Sequence, residues 1–228
     1  KEQCLDLPEM TYVTREVELT AQQKKYYELM RKEMLVNAAG EQITTINAAA
    51  NLNKLLQLSG GAVYSDTGEV VEFDASSRLS VLREVIEESS HKGLVFVPYR
   101  HSIDIIAEEL KKDYTVDVIH GGVSVNKRTQ IFENFQTQKF PRVLVIQPQA
   151  ASHGVTLHAA NTIVYWSPVM SVETYLQANA RVHRAGQKNP STVFHLQGSP
   201  VERKLYKMLQ DKVDVHHKIA DLYGEILS

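Results

Sequence analysis

At 228 residues the chain has the length of one large domain, or of one domain with a helical appendage. Its 43% hydrophobic and 23% charged residues are ordinary for a globular protein, and a net charge of -2 excludes a broad basic surface for nucleic acid. A single cysteine, Cys4, excludes an internal disulfide framework and a thiolate metal cluster, and it matches a reducing intracellular compartment. Any nucleic-acid contact therefore has to be local, made by a few basic side chains, backbone amides and helix N-termini. No apolar run approaches the ~20 residues of a membrane span and no signal peptide is visible, so no membrane partner is expected. The chain opens at Lys1 without a methionine, which reads as a piece of a longer polypeptide.

Residues 1–18 read as an extended lead-in. Thr20 then caps a helix, AQQKKYYELMRKEMLVNAA, with Gln23 completing a capping box and Tyr26, Tyr27, Met30, Met34 and Leu35 as its apolar stripe. A second helical pattern covers 44–58 and stops at Ser59-Gly60-Gly61. A short hairpin, AVYSDTGEVVEF, turns at Asp66-Thr67-Gly68. Asp74 or Ser76 caps the helix SSRLSVLREVIEES.

From Lys92 the texture changes. GLVFVP (93–98) is a short, all-apolar strand of the kind buried on both faces. The helix HSIDIIAEELKK follows, then the strand VDVIHGG (116–122), the helix VNKRTQIFENFQ and the strand RVLVIQ (142–147). A loop leads to the strand TIVYW (162–166), a helix carrying residues 177–184, and the strand STVFHLQ (191–197). The last stretch, from Val201, is again helical. Strand–helix alternation at this spacing predicts an α/β fold, an open parallel sheet with helices on both faces. The expected division is 1–90 as a linker and helical region, 91–198 as the sheet lobe, and 199–228 as helices packing back on it.

In such sheets ligands bind beyond the carboxyl ends of the strands. The residues there are small, polar or basic: Tyr99 to Ser102, His120-Gly121-Gly122, Gln147 to Gly154, and Ser167-Pro168. They suit phosphates, of a nucleotide or of a nucleic-acid backbone. Gln177, Arg181 and Arg184, spaced at i, i+4 and i+7, are expected on one helix face. Two guanidinium forks can grip phosphate oxygens and stay charged at working pH. A solvated, salt-bridged face is the commoner fate of such a pair. Yet the chain has no phosphate loop: the nearest stretch, GGVSVNKRT (121–129), has Asn126 where that loop needs a glycine before its lysine. No G-x-G-x-x-G follows a strand, no acidic strand end could hold magnesium, and neither His216-His217 nor His153 with His158 makes a metal site. The simplest solution is that the phosphate cradle lies on another domain and the arginines reach it across a cleft.

At these residues the chain resembles the second RecA-like lobe of superfamily-2 helicases, most closely Swi/Snf-like ATP-dependent DNA translocases. LVFVPYRHSIDIIAEEL (94–110) resembles motif IV, QPQAASHGVTLHAANTIVYWSP (147–168) motif V, and QANARVHRAGQ (177–187) motif VI. The lead-in and the VERKLYKMLQDK segment are similar to the family's linker and C-terminal helix. The resemblance implies ATP with Mg2+, both held mainly by an N-terminal RecA-like lobe of the same polypeptide. It implies Arg181 and Arg184 as arginine fingers, Gln177 as a coupling residue and Gly154 beside the nucleotide. DNA, duplex first, is the implied partner, its backbone met by Arg100, His120, Gly121 and Gly122. Motif V departs from the family: Gln147-Pro148 stands for a Ser-Thr pair and Ala151-Ser152 for a Gly-Gly, so Gln149 or Ser152 takes over the hydroxyl contact. Without the insertions of many chromatin remodellers, a compact prokaryotic or viral protein working in the cytoplasm is implied. The competing readings are a non-catalytic RecA-like module for docking DNA or protein, against which the intact arginine pair argues, and an RNA helicase lobe of the same superfamily.

Overall fold

A computed structural model describes residues 7–40, 44–65, 67–151 and 154–228. Its strands are β1 (Met10–Glu16), β2 (Ala62–Tyr64), β3 (Val70–Glu72), β4 (Lys92–Phe96), β5 (Val116–Ile119), β6 (Val143–Ile146), β7 (Ala160–Tyr165) and β8 (Ser191–Gln197). The helices are α1 (Ala21–Gly40), α2 (Thr45–Gly60), α3 (Ser76–Glu88), α4 (Arg100–Leu110), α5 (Val125–Thr137), α6 (Val172–Asn179), α7 (Pro200–Gln210) and α8 (Val215–Leu227). Six strands form one sheet in the order β1-β8-β7-β4-β6-β5, every neighbouring pair parallel, while β2 and β3 make a separate antiparallel hairpin.

The expected parallel sheet flanked by helices is what the chain forms. The central strands are apolar throughout because they are covered on both sides. Leu94 and Phe96 of β4 belong to the core shared with α2, α5, α6, α7 and α8. Val95, inside the same strand, and Val97, just beyond it, face the other way, into a smaller core with α3 and α4. This alternation is the period-2 geometry of a strand.

The lead-in differs from its expected place outside the sheet. β1 pairs with β8 in register from Met10↔Ser191 to Glu16↔Gln197, so the sheet begins at the N-terminal side of the chain. Its alternation is diluted because, at the edge, four of its seven residues are exposed. The helical region that follows is tied to the lobe by polar bonds. The Thr20–Gln23 capping box forms, with N–H to side-chain distances of 3.1 and 3.3 Å, and the Gln23 amide also donates to the Leu58 and Ser59 carbonyls at the end of α2. Gly61 ends α2 at φ 103°, and a Cβ there would stand 2.7 Å from Cβ of Ala75. That position requires glycine. At α3 the capping position falls on Ala75, and Asp74 accepts from the Ser76 amide at 2.9 Å.

A buried charge pair joins α3 to α7. Arg78 Nη2 lies 2.7 Å from Glu202 Oε1, with the side chains 1% and 0% exposed. Arg78 also donates to the Trp166 and Leu196 carbonyls and lies over the Trp166 ring. Glu202 Oε2 accepts from the amides of Gly198 and Ser199 and from the Ser199 hydroxyl, at 2.8, 3.0 and 3.0 Å, closing the capping box that starts α7.

Candidate functional site

Three strand ends are stitched together at one end of the rim. Arg100 opens α4, after the short turn that follows β4, and its Nη1 lies 3.2 Å from Nδ1 of His120, the residue after β5. Its Nη2 pairs with Asp104 one turn later at 3.2 Å. The Gly122 amide donates to the same His120 Nδ1 at 2.9 Å, so that nitrogen is an acceptor and the ring proton sits on Nε2. Partial burial, then the Arg100 guanidinium, push the His120 pKa below its ordinary value, with Arg128 adding to the effect and Asp104 opposing it. The Gly121 amide donates to Gln147 Oε1 at 3.3 Å, and Gln147 Nε2 donates to the Pro98 carbonyl at 3.2 Å. Gln147, after β6, thus ties the ends of β4 and β5. The sequence places it on the rim and as a departure from motif V, but not as the residue that joins the strand ends.

Arg100, His120, Gly121 and Gly122 are therefore brought together. Gln149 is exposed and lines a different depression of ≈ 390 Å³, beside Asn53, Tyr99 and Pro168. Ser152 lies outside the described residues, as does the hairpin's Asp66.

The arginine stretch departs from its expected form. α6 ends at Asn179, so Gln177 is helical while Arg181 and Arg184 lie in the turns that follow. The three do not share a helix face. Past Asn179 the turn tightens, the Arg181 and Val182 amides donating to the Ala178 and Asn179 carbonyls at 3.1 Å each, and the following carbonyls are taken from the side: Leu157 N–H donates to the Arg181 carbonyl at 2.8 Å, and Gln187 Nε2 to the Val182 carbonyl at 3.3 Å. Asn179 is turned inward to accept from the Tyr165 hydroxyl at 2.9 Å. Gln177 donates to Glu173 within α6 at 2.9 Å.

The turns nevertheless assemble a site. Arg184 Nη1 lies 3.5 and 3.4 Å from the carbonyls of Gly154 and Val155. Gly154 is exposed with φ 73°. These carbonyls orient the guanidinium, and no carboxylate among the described residues pairs with it. The loop itself is clamped by buried Gln187, which donates to the Ala160 carbonyl at 2.9 Å and accepts from the Lys188 and Asn189 amides at 3.0 Å each. His158 packs under Gly186 and meets the Gln136 carboxamide at about 3 Å. Burial, then Arg184 and Lys188, hold its pKa below the ordinary value. Gln187 is visible in the sequence as a motif member without a role, whereas nothing in the spacing marks Gln136, and the sequence offers His158 only as a poor metal ligand beside His153, which lies outside the described residues. Among the described residues no group of three His, Cys, Asp or Glu side chains is gathered for a metal, and no helix is long and apolar enough to cross a membrane.

Comparison with known proteins bears on this arrangement. Residues 77–186 match the model of the helicase conserved C-terminal domain. The chain is 26% identical over 198 residues to "Putative protein p41" of Acyrthosiphon pisum secondary endosymbiont phage 1, covering 84% of this chain and 41% of that protein. It is 27% identical over 229 residues to the mouse "Chromodomain-helicase-DNA-binding protein 1-like", covering 95% of this chain and 25% of that protein. The chain thus spans less than half the length of these curated relatives. The solved "Sulfolobus solfataricus SWI2/SNF2 ATPase core in complex with dsDNA" shares the fold, with TM-score 0.72, 20% identity, and coverage of 97% of this chain and 48% of that one. Residues 77–186 thus match the helicase conserved C-terminal domain, and the chain as a whole is similar in sequence to a chromodomain-helicase-DNA-binding protein and in fold to a SWI2/SNF2 ATPase core.

Proposed function

We propose that the lobe is the second half of an ATP-driven DNA translocase or helicase motor. One observation carries the reading: Arg184, on the loop shared with Arg181, is held by the Gly154 and Val155 carbonyls with no carboxylate among the described residues neutralising it, in a sequence without a phosphate loop. Guanidinium donors beside an exposed glycine fit polyphosphate oxygens. They do not fit a divalent cation, so Mg2+ and the phosphate cradle belong to an N-terminal lobe of the same polypeptide. ATP, when bound there, supplies a transferring γ-phosphoryl group on which negative charge develops.

Arg181 and Arg184 then stabilise that charge across the cleft, and Gly154 admits the nucleotide because it has no side chain. Gln177, at the end of α6, couples the cleft to the lobe. At the stitched strand ends, Arg100 meets a DNA backbone that passes over the exposed, side-chain-free turn of Gly121 and Gly122, with Gln149 on the adjoining part of the rim. The sheet and α4–α6 form the motor lobe, α1–α3 lead into it, and α7 and α8 pack back on it. A phage relative is in keeping with a motor working inside a host cell.

The test is ATP turnover by this chain alone and joined to its N-terminal lobe, with duplex DNA, single strands and RNA offered in turn. Turnover only in the joined protein, stimulated most by duplex DNA, is the expected result. Turnover by this chain alone would overturn the two-lobe reading. Stimulation by RNA in preference to DNA would overturn the substrate.

A further inference from the structure

The contacts at the strand ends separate two roles that the sequence reading merged. By the family resemblance, His120 and Arg100 both touch a nucleic-acid backbone. In the structure His120 Nδ1 is already engaged, accepting from the Gly122 amide at 2.9 Å and facing Arg100 Nη1 at 3.2 Å. Arg100 is held on its other side by Asp104 at 3.2 Å. Its side chain remains 48% exposed, with guanidinium donors still available to a ligand.

We propose that His120 is the positioning residue for Arg100: the neutral ring, fixed by the Gly122 amide, holds the Arg100 guanidinium opposite Asp104 so that a backbone phosphate meets an arginine already in place. This deepens the proposed DNA contact and rests on it. The physical basis is the ordering of a long side chain. A free arginine loses rotamer freedom when it grips a phosphate, and one held from two sides has lost much of it beforehand. Asp104 supplies attraction without direction, whereas the lone pair of Nδ1 fixes the plane of the fork. The anchor on Gly122 matters as much as the ring: the amide and Arg100 share the one Nδ1 lone pair, and the amide fixes the ring rotation that leaves Nδ1 on the Arg100 side.

The alternative is that His120 touches the phosphate itself, and the two differ in how the residues combine. The experiment measures duplex DNA affinity by fluorescence anisotropy on the two-lobe protein at fixed salt, for Arg100→Ala, His120→Ala, the double variant and His120→Asn. Positioning predicts that His120→Ala weakens binding roughly 2- to 10-fold, the scale of one pre-ordered side chain. The double variant should then bind no more weakly than Arg100→Ala alone. His120→Asn, whose carboxamide oxygen can accept in place of Nδ1, should recover most of the loss, and Arg100→Ala should lower the salt slope by about one.

Additive losses in the double variant, or no rescue by asparagine, would overturn the proposal while the DNA contact stands. Unchanged affinity in Arg100→Ala would overturn it too. Absence of duplex binding by the unaltered protein would remove the DNA contact itself and this inference with it.

Discussion

Replacing Glu202 by Gln tests the buried pair that joins α3 to α7. Gln is nearly isosteric, and its oxygen can still accept from the Gly198 and Ser199 amides that Glu202 now caps at 2.8 and 3.0 Å. The change therefore removes mainly the charge. What remains is Arg78, 1% exposed, with the Trp166 and Leu196 carbonyls and the Trp166 ring as partners but no anion. Removing one member of a buried ion pair costs about 3–5 kcal/mol. Against a typical total of about 5–15 kcal/mol, that is a large share of the stability. For a chain of this size it corresponds to a fall in Tm of roughly 10 °C. The assay is urea unfolding at neutral pH followed by circular dichroism, with the midpoint falling and the slope unchanged. Adding Arg78→Met should return part of the loss, because the stranded charge is then gone. A loss below about 1 kcal/mol for Glu202→Gln, or a double variant with simply additive losses, would refute the reasoning.

Further outcomes follow from the same geometry. His195 is fully buried among the Tyr165, Tyr175 and Tyr206 rings, and burial pushes its pKa down to about 4. Against an unfolded value near 6.5, the unfolded state binds the extra proton first, so the contribution is intact above pH ~6.5 and lost on acidification. About 2 kcal/mol should be gone by pH 5, and the slope over that window should flatten in His195→Gln. An equally steep slope in the variant would contradict this. Gln187→Ala removes the clamp on the arginine loop and leaves the Lys188 and Asn189 amides without their acceptor. Their hydrogen exchange should accelerate while amides of β4 and β6 keep their protection, and uniform protection throughout would argue against the clamp.

Much of the sheet was legible because β4 and β6 are apolar at almost every position, a pattern that burial on both faces imposes. β1 was harder to place because an edge strand half exposed to water shows little alternation. The Arg78–Glu202 pair was not legible at all. Each residue reads alone as part of a solvated helix face, and only the fold brings them together. At the site, residue types were readable and geometry was not. The R-x-x-R spacing matches a helix, yet the turn tightens past Asn179, and Leu157 and Gln187 take the carbonyls that follow. His120 shows the same limit: its position after β5 marks it for the rim, but only the Gly122 and Arg100 contacts reveal which way its lone pair is used.

The role proposed for the loop holding Arg184 is to complete an ATPase on a partner lobe. Its most direct test is DNA-stimulated ATP turnover of the two-lobe protein with Arg184→Ala. A fall of about 10³-fold or more in kcat is expected, the scale of an arginine finger, with duplex DNA affinity unchanged. Turnover equal to that of the unaltered protein would contradict it.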